Sequence, residues 1–140
     1  MAFTIPESHC DLIDGPHWAA LTTLMPDGSP QTTPIWCNAD HEHILINTMR
    51  GFRKEKNLRR NPCVTLLIYD PRNPQRHIEI RGLAVEMTED GALEHLDQLT
   101  QLYLGRPDAH FFGDCVPLDE QARHVPVKIT IQPTSVRVEG

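Results

Sequence analysis

Six of the chain's thirteen lysines and arginines fall in eleven residues, Arg50-Gly51-Phe52-Arg53-Lys54-Glu55-Lys56-Asn57-Leu58-Arg59-Arg60. With Glu55 counted, the window carries +5 on a protein whose net charge is −6. A basic island on an acidic chain points to a localised anion site rather than a generally adhesive surface. Arg53, Lys56, Asn57 and Arg60 recur at helical spacing on one face, with Lys54 beside the first turn. A helix start adds backbone N–H groups and a favourable dipole, so a phosphate or an acidic ligand is the chemistry this stretch could serve. The same residues also describe a plain solvated helix, and composition leaves the two readings open.

Other candidates flank it. Trp36 could stack on a planar ring or simply join the core. Asn47 and Thr48 end an apolar run just before the basic window and could hydrogen-bond a ligand or only satisfy a turn. His41 and His43, with Asp40 and Glu42, resemble a metal site in outline, but exposed turns collect such residues and no third histidine has suitable spacing. His9, His17, His95, His110 and His124 are scattered and suggest no site. There is no G-x-S-x-G, P-loop, G-x-G-x-x-G or H-E-x-x-H, and no nucleophile–base pair. Any catalysis would therefore rest on a cofactor, with no residue assigned as catalytic and none as a metal ligand.

The elements that must hold these residues are short. A chain of 140 residues with 39% hydrophobic and 23% charged content suits one globular domain, residues 1–140. The four cysteines form no C-x-x-C, and the net charge opposes broad nucleic-acid binding. No leader-like N-terminus and no stretch of eighteen apolar residues is visible, which gives the expectation of a cytoplasmic protein without a membrane span. Trp18–Leu24 and Gln31–Asn38 read as strands joined by an Asp27-Gly28 hairpin, with Pro34 marking the second as an edge or bulged strand. His43–Thr48, Cys63–Tyr69 and His77–Met87 follow as strands, Gly82 bending the last. A short helix over Phe52–Arg60 ends at Asn61-Pro62. From Thr88, a candidate N-cap, Leu93, Leu96, Leu99, Leu102 and Tyr103 give a longer helix closed by Gly105. Residues 106–124 read as irregular, and Val125–Ile131 with Thr134–Val138 as closing strand segments. Strands of this length and spacing favour a small antiparallel barrel over a parallel sheet.

The ordered set of Asp27-Gly28, Pro34-Ile35-Trp36, Asn47-Thr48, Phe52-Arg53-Lys54, Asn57-Leu58, Arg60-Asn61-Pro62, Val64–Tyr69 and Ile78–Gly82 resembles the pyridoxamine 5'-phosphate oxidase-like flavoproteins. The likeness is greatest to the branch that uses the deazaflavin coenzyme F-420. It implies a mainly β (α+β) fold, a six-stranded antiparallel split β-barrel, with the short basic helix between strands three and four. It implies a homodimer with the cofactor, coenzyme F-420 or FMN, at the subunit interface. Arg53 and Lys54 would bind the cofactor phosphate, with Lys56 and Asn57 close by. Asn47 and Thr48 would lie along the ribityl chain and ring, Pro34, Ile35 and Trp36 beside the ring face, and His77 would reach in from the partner chain. Arg59 and Arg60 would face solvent or an acidic tail on the cofactor.

The activity so implied is hydride transfer between F-420 or FMN and a small organic substrate. The alternatives are a flavin- or haem-type ligand carrier without turnover and an FMN-dependent pyridoxamine phosphate oxidase-like enzyme. Two departures from the oxidases proper weigh against the last. Phe52 stands where they carry Ser, and Val125–Gly140 lacks their C-terminal Arg/His substrate motif.

Overall fold

A computed structural model describes residues 4–140. Met1, Ala2 and Phe3, on which part of the leader-peptide reading falls, lie outside them. Strands β1 Ala19–Leu24, β2 Pro30–Ile35, β3 Cys37–Ala39, β4 Ile44–Met49, β5 Cys63–Asp70, β6 Asn73–Thr88 and β7 Pro126–Glu139 form one sheet. Helices α1 Cys10–Asp14, α2 Arg53–Arg60 and α3 Ala92–Leu104 flank it. Every pairing is antiparallel, in the order β2-β1-β5-β6-β7-β4-β3. β2 and β3 are consecutive in the chain yet sit at opposite edges, so the sheet curls into a barrel joined there by Trp36 alone. This is a split β-barrel.

The count is seven strands rather than six, and the cause is local. The expected strand Gln31–Asn38 divides at Trp36: Ile35 pairs with Ala19 of β1, whereas Cys37 pairs with Ile46 of β4. One strand cannot serve both edges of the split, so the residue between them leaves the ladder. Pro34 lies on β2, an edge strand as expected, where its missing N–H costs no bond.

Alternation builds the interior. Ala19 and Leu21, Ile44 and Ile46, Leu66 and Ile68, Ile78 and Ile80, and Val127, Ile129 and Ile131 all point inward and are buried. Leu12, Ile13 and Leu58 from α1 and α2 join the same core. Each such side chain contributes roughly 1.5–3 kcal/mol on burial. The hairpin is closed by Asp27, whose Oδ1 accepts from the Ser29 amide at 2.9 Å and hydroxyl at 2.6 Å, with Gly28 at φ 86°.

β6 shifts register between Arg81 and Gly82, as its glycine suggests; a Cβ there would meet the Gln132 carbonyl oxygen at 2.5 Å. The bulge faces Pro133, and across it the two expected closing segments run on as one strand, β7. α3 begins later than Thr88. Its N-cap is Gly91, while the Thr88 hydroxyl accepts from the Asp90 amide in the turn before it. Gly105 ends α3 in the left-handed region, and α2 stops at Asn61. Among the described residues no helix is long and apolar enough to cross a membrane.

Candidate functional site

Where β2 ends and the chain crosses the split, a cavity of about 270 Å³ opens between β4, the start of α2 and α3. Six of the ten residues singled out from the sequence line it: Pro34, Ile35, Trp36, Asn47, Thr48 and Lys54. Leu96 and Leu99 of α3, Phe111, Phe52, Met49 and Trp18 complete an otherwise apolar wall.

Four of the ten lie elsewhere. Arg53 and Lys56 are exposed on α2 and do not line the cavity. Asn57 is wholly buried; its Nδ2 donates to Thr23 Oγ1 at 3.0 Å and approaches Met25 Sδ at 3.5 Å. That ties α2 to β1. His77 lies on the outer face of β6 in a separate depression with Leu67, Glu79 and Arg81. Within one chain it shares no wall with the cavity.

Trp36 is held by α3. Its ring stacks on Tyr103 with centroids 5.1 Å apart and planes 20° from parallel, and Phe111 meets it edge-on at 6.3 Å. The Tyr103 hydroxyl donates to the His17 carbonyl at 2.7 Å and accepts from the Cys37 amide at 3.0 Å. It therefore pins α3 to the chain on both sides of the split. Burial pushes the Tyr103 hydroxyl well above its usual range and the Cys37 thiol up to about 12, so neither ionises near neutrality.

Asn47 is fixed just as firmly. Its Nδ2 donates to the Ala92 carbonyl at 2.9 Å and to His95 Nδ1 at 3.1 Å. The opposite amide orientation would set oxygen against oxygen, so Nδ2 faces α3. His95 is buried, and burial followed by the charge of Lys128 brings its pKa down to about 4. It is a neutral ring that accepts at Nδ1 and donates from Nε2 to Asn38 Oδ1 at 2.9 Å.

This network satisfies one end of the amide and leaves the other open. Asn47 Oδ1, Thr48 Oγ1 and Trp36 Nε1 are all buried without a hydrogen-bond partner among the described residues. Such atoms cost about 1–3 kcal/mol each, and three of them around one cavity mark a place for a polar-edged ligand. Lys54, half-buried at the rim, makes no ion pair among the described residues, and burial lowers its pKa. α2 begins at Phe52 without a side-chain cap, so its first amides are open as well.

The rest of the basic window is less available than its composition suggests. Arg50 pairs with Glu89, Arg59 pairs with the buried Glu55, and Arg60 donates to the Leu24 carbonyl at 2.5 Å. Glu55 also accepts from the Gly51 amide at 2.8 Å. Burial alone would raise its pKa, but the Gly51 N–H and the Arg59 guanidinium outweigh that and lower it. Asp40, in the turn that looked metal-like, has one oxygen engaged by the Glu42 and His43 amides.

A sequence profile of the pyridoxamine 5'-phosphate oxidase family matches residues 5–136. The chain belongs to this family. The family includes flavin- and deazaflavin-dependent oxidoreductases. Among solved structures the chain is similar to an F-420 reductase, with 28% identity and a TM-score of 0.79 over 95% of this chain and 98% of that one. It is similar in fold to a conserved hypothetical protein of Mycobacterium tuberculosis, with 24% identity and a TM-score of 0.71 over 99% and 86% of the two chains. It is also similar in fold to general stress protein 26 of Bacillus anthracis, with 22% identity and a TM-score of 0.64 over 91% and 88%. No curated protein matches the chain.

The open polar atoms, the aromatic wall and Lys54 suit the family's flat, phosphorylated cofactors. His95, Tyr103 and Phe111 escaped the sequence reading as parts of the site. Two of them had a signal in the spacing, because His95, Leu99 and Tyr103 lie at i, i+4 and i+8 on one helix face. A histidine and a tyrosine on a stripe that packs against a sheet need polar partners there.

Proposed function

We propose that the cavity receives the ring of a flavin-type cofactor, coenzyme F-420 or FMN, and that the protein transfers a hydride between it and a small organic substrate. The observation that carries this reading is the set of three partnerless buried atoms on an apolar wall. Trp36 Nε1–H can donate to a ring carbonyl, while Asn47 Oδ1 can accept from a ring N–H. Lys54 and the first amides of α2 would hold the phosphate, with Arg53 and Lys56 adding positive field from outside the cavity. The similarity to an F-420 reductase along nearly the whole of both chains supports the deazaflavin.

The bound cofactor would supply the hydride chemistry. The chain's part is to orient the ring between Trp36 and α3, to hold the phosphate and to exclude water with Leu96, Leu99 and Phe111. Among the described residues, Lys54 is the sole ionisable side chain on the cavity wall. The proton that accompanies the hydride would therefore come from solvent.

The dimer belongs to the same proposal. Leu67 and Tyr69 of β5 and Leu83 and Val85 of β6 are exposed on the outer face of the barrel, and Leu67 also lines the His77 depression. A second copy seated there would cover them and bring its own His77 to the interface. Light scattering should give twice the chain mass, and Leu67→Lys with Val85→Lys should give the single-chain mass.

The deciding experiment is a titration of purified protein with FMN and with F-420. Saturable binding of either supports the assignment, and binding of neither would sink it. A carrier without turnover is the second reading, favoured by the lack of any acid or base other than Lys54 in the wall. Reduced cofactor left unconsumed across quinones, enones and nitroaromatics would select it.

A further inference from the structure

The segment after α3, irregular in sequence, encloses a second cavity of about 400 Å³ against the first. The two share Met49, Phe52 and Phe111; Val116, Pro117, Glu120 and His124 line only the second. We infer that this annex binds the reaction's organic substrate, an uncharged and mainly apolar molecule with a flat body of one or two rings and a hydrogen-bonding head. This rests on the reading of the first cavity as the cofactor site, because a hydride acceptor must lie against the ring that delivers it.

Three observations set the class. The annex is of the size that takes small organic ligands, and its walls are aromatic and aliphatic. Phe52 and the His124 ring meet edge-on with centroids 5.8 Å apart, which leaves flat surfaces on either side. The polar groups are confined to Glu120 and His124, whose Oε2 and Nε2 lie 3.3 Å apart. Glu120 also meets Arg123 at 3.3 Å. The Arg123 guanidinium is 72% exposed and points its charge mostly to solvent, and among the described residues no lysine or arginine lines the annex, so the Glu120 carboxylate at its polar end disfavours an anionic substrate. Such a site suits a carbonyl or hydroxyl head that shares the Glu120–His124 pair.

The wall itself is anchored. Asp97 of α3 accepts from the Phe111 amide at 2.9 Å and contacts His110 Nδ1 at 3.0 Å. Phe111 is thereby held between the two chambers, edge-on to Trp36 on one side and to Phe112 at 5.2 Å on the other. The irregular segment is then the part of the chain that selects the substrate, while the strands hold the cofactor.

The test uses two naphthalene probes of equal ring size, the methyl ketone 2-acetylnaphthalene and the anion 2-naphthoate. Wild-type protein should bind the ketone at least about tenfold more tightly than the anion, a margin ordinary for one unmatched buried polar or charged group. The ketone should shift the methyl resonances of Met49 and Val116 in the wild-type protein. Val116→Trp, which fills the annex, should weaken ketone binding about tenfold or more and leave FMN and F-420 affinity within about twofold. Equal affinity for ketone and anion, methyl shifts elsewhere only, or undiminished ketone binding by a folded Val116→Trp would each overturn the inference. The wild-type shifts decide the matter even where the variant does not fold. Failure of both cofactors to bind with the ketone shifts intact would remove the cofactor reading and keep the annex as a ligand site.

Discussion

The two ends of α2 are alike in composition and opposite in state. At the C-terminal end of α2, Arg59 is matched to Glu55 and Arg60 to the Leu24 carbonyl. At its start, Arg53, Lys54 and Lys56 have no hydrogen-bond or ion-pair partner among the described residues. The first group is consumed by the fold; the second is held in place with its charge unspent. On the proposed function, a ligand would meet only the second. The same division runs through Asn47, whose nitrogen is engaged by α3 and whose oxygen is left open. On the proposed function, the groups that would act on a ligand are those the fold leaves unsatisfied.

The strongest way to break that comparison is at the open end. Arg53→Ala with Lys54→Ala should weaken F-420 or FMN binding by about 2–4 kcal/mol, since charge-assisted phosphate contacts are worth roughly 1.5–3 kcal/mol each. The thermal midpoint of the unliganded protein should barely move, because neither side chain has a partner to lose. An unchanged dissociation constant would refute the phosphate assignment.

The consumed end should respond in the opposite sense. Glu55 is 3% exposed and accepts from both the Gly51 amide and Arg59. Glu55→Ala leaves the Gly51 N–H without its acceptor and should cost about 1.5–3 kcal/mol of stability, read as a lower urea midpoint at constant slope.

His95 sharpens the comparison through pH. Its folded pKa, about 4, lies below the ordinary 6.5. A depressed histidine contributes stability fully above the unfolded value and loses it as pH falls from 6.5 toward 4. Between pH 7 and pH 5 the wild type should lose about 2 kcal/mol that His95→Gln does not. Protonation of the folded protein would also make Nδ1 a donor facing the Asn47 nitrogen, so cofactor affinity should hold down to about pH 5 and fall as pH approaches 4. Parallel pH profiles for the two proteins would show that His95 is not neutral in the fold.

Much of the barrel was legible in the sequence because alternation and turn chemistry are local. Ile78, Ile80 and Gly82 announced both the buried face of β6 and its bulge, and Asp27-Gly28 announced the hairpin. The split at Trp36 was not legible, since a strand that changes partners keeps its alternation across the change. Pro34, Ile35, Trp36, Asn47, Thr48 and Lys54, which line one cavity, were singled out through their order along the chain. What eluded the sequence was pairing. Glu55 is one acidic residue in a basic run, and only the helix turn that sets it against Arg59 shows which cation it neutralises. Phe111 meets Trp36 from far along the chain, a contact that no local pattern encodes, whereas His95 showed only as a polar residue on an apolar helix face.

The smallest predicted effect bears on the choice of cofactor. If Arg59 and Arg60 faced an anionic tail, their removal would weaken F-420, which carries an oligoglutamate, more than FMN, which does not. Both are instead engaged within the fold, and the Arg59 side chain is 46% exposed. Arg59→Ala leaves the buried Glu55 carboxylate with the Gly51 amide alone, so it should cost about 1.5–3 kcal/mol of stability and yet leave the ratio of F-420 to FMN affinity within about twofold. Lys56→Ala should lower that ratio more than Arg59→Ala, because Lys56 is unpaired on the same helix and its field is not cancelled. The salt dependence should separate them too, with the F-420 affinity of wild type and Arg59→Ala falling in parallel as ionic strength rises and that of Lys56→Ala falling less steeply. A larger loss of F-420 affinity on removing Arg59 than on removing Lys56 would mean that the ligand outcompetes Glu55 for the guanidinium, and the line between consumed and open charge would have to be redrawn one turn along α2.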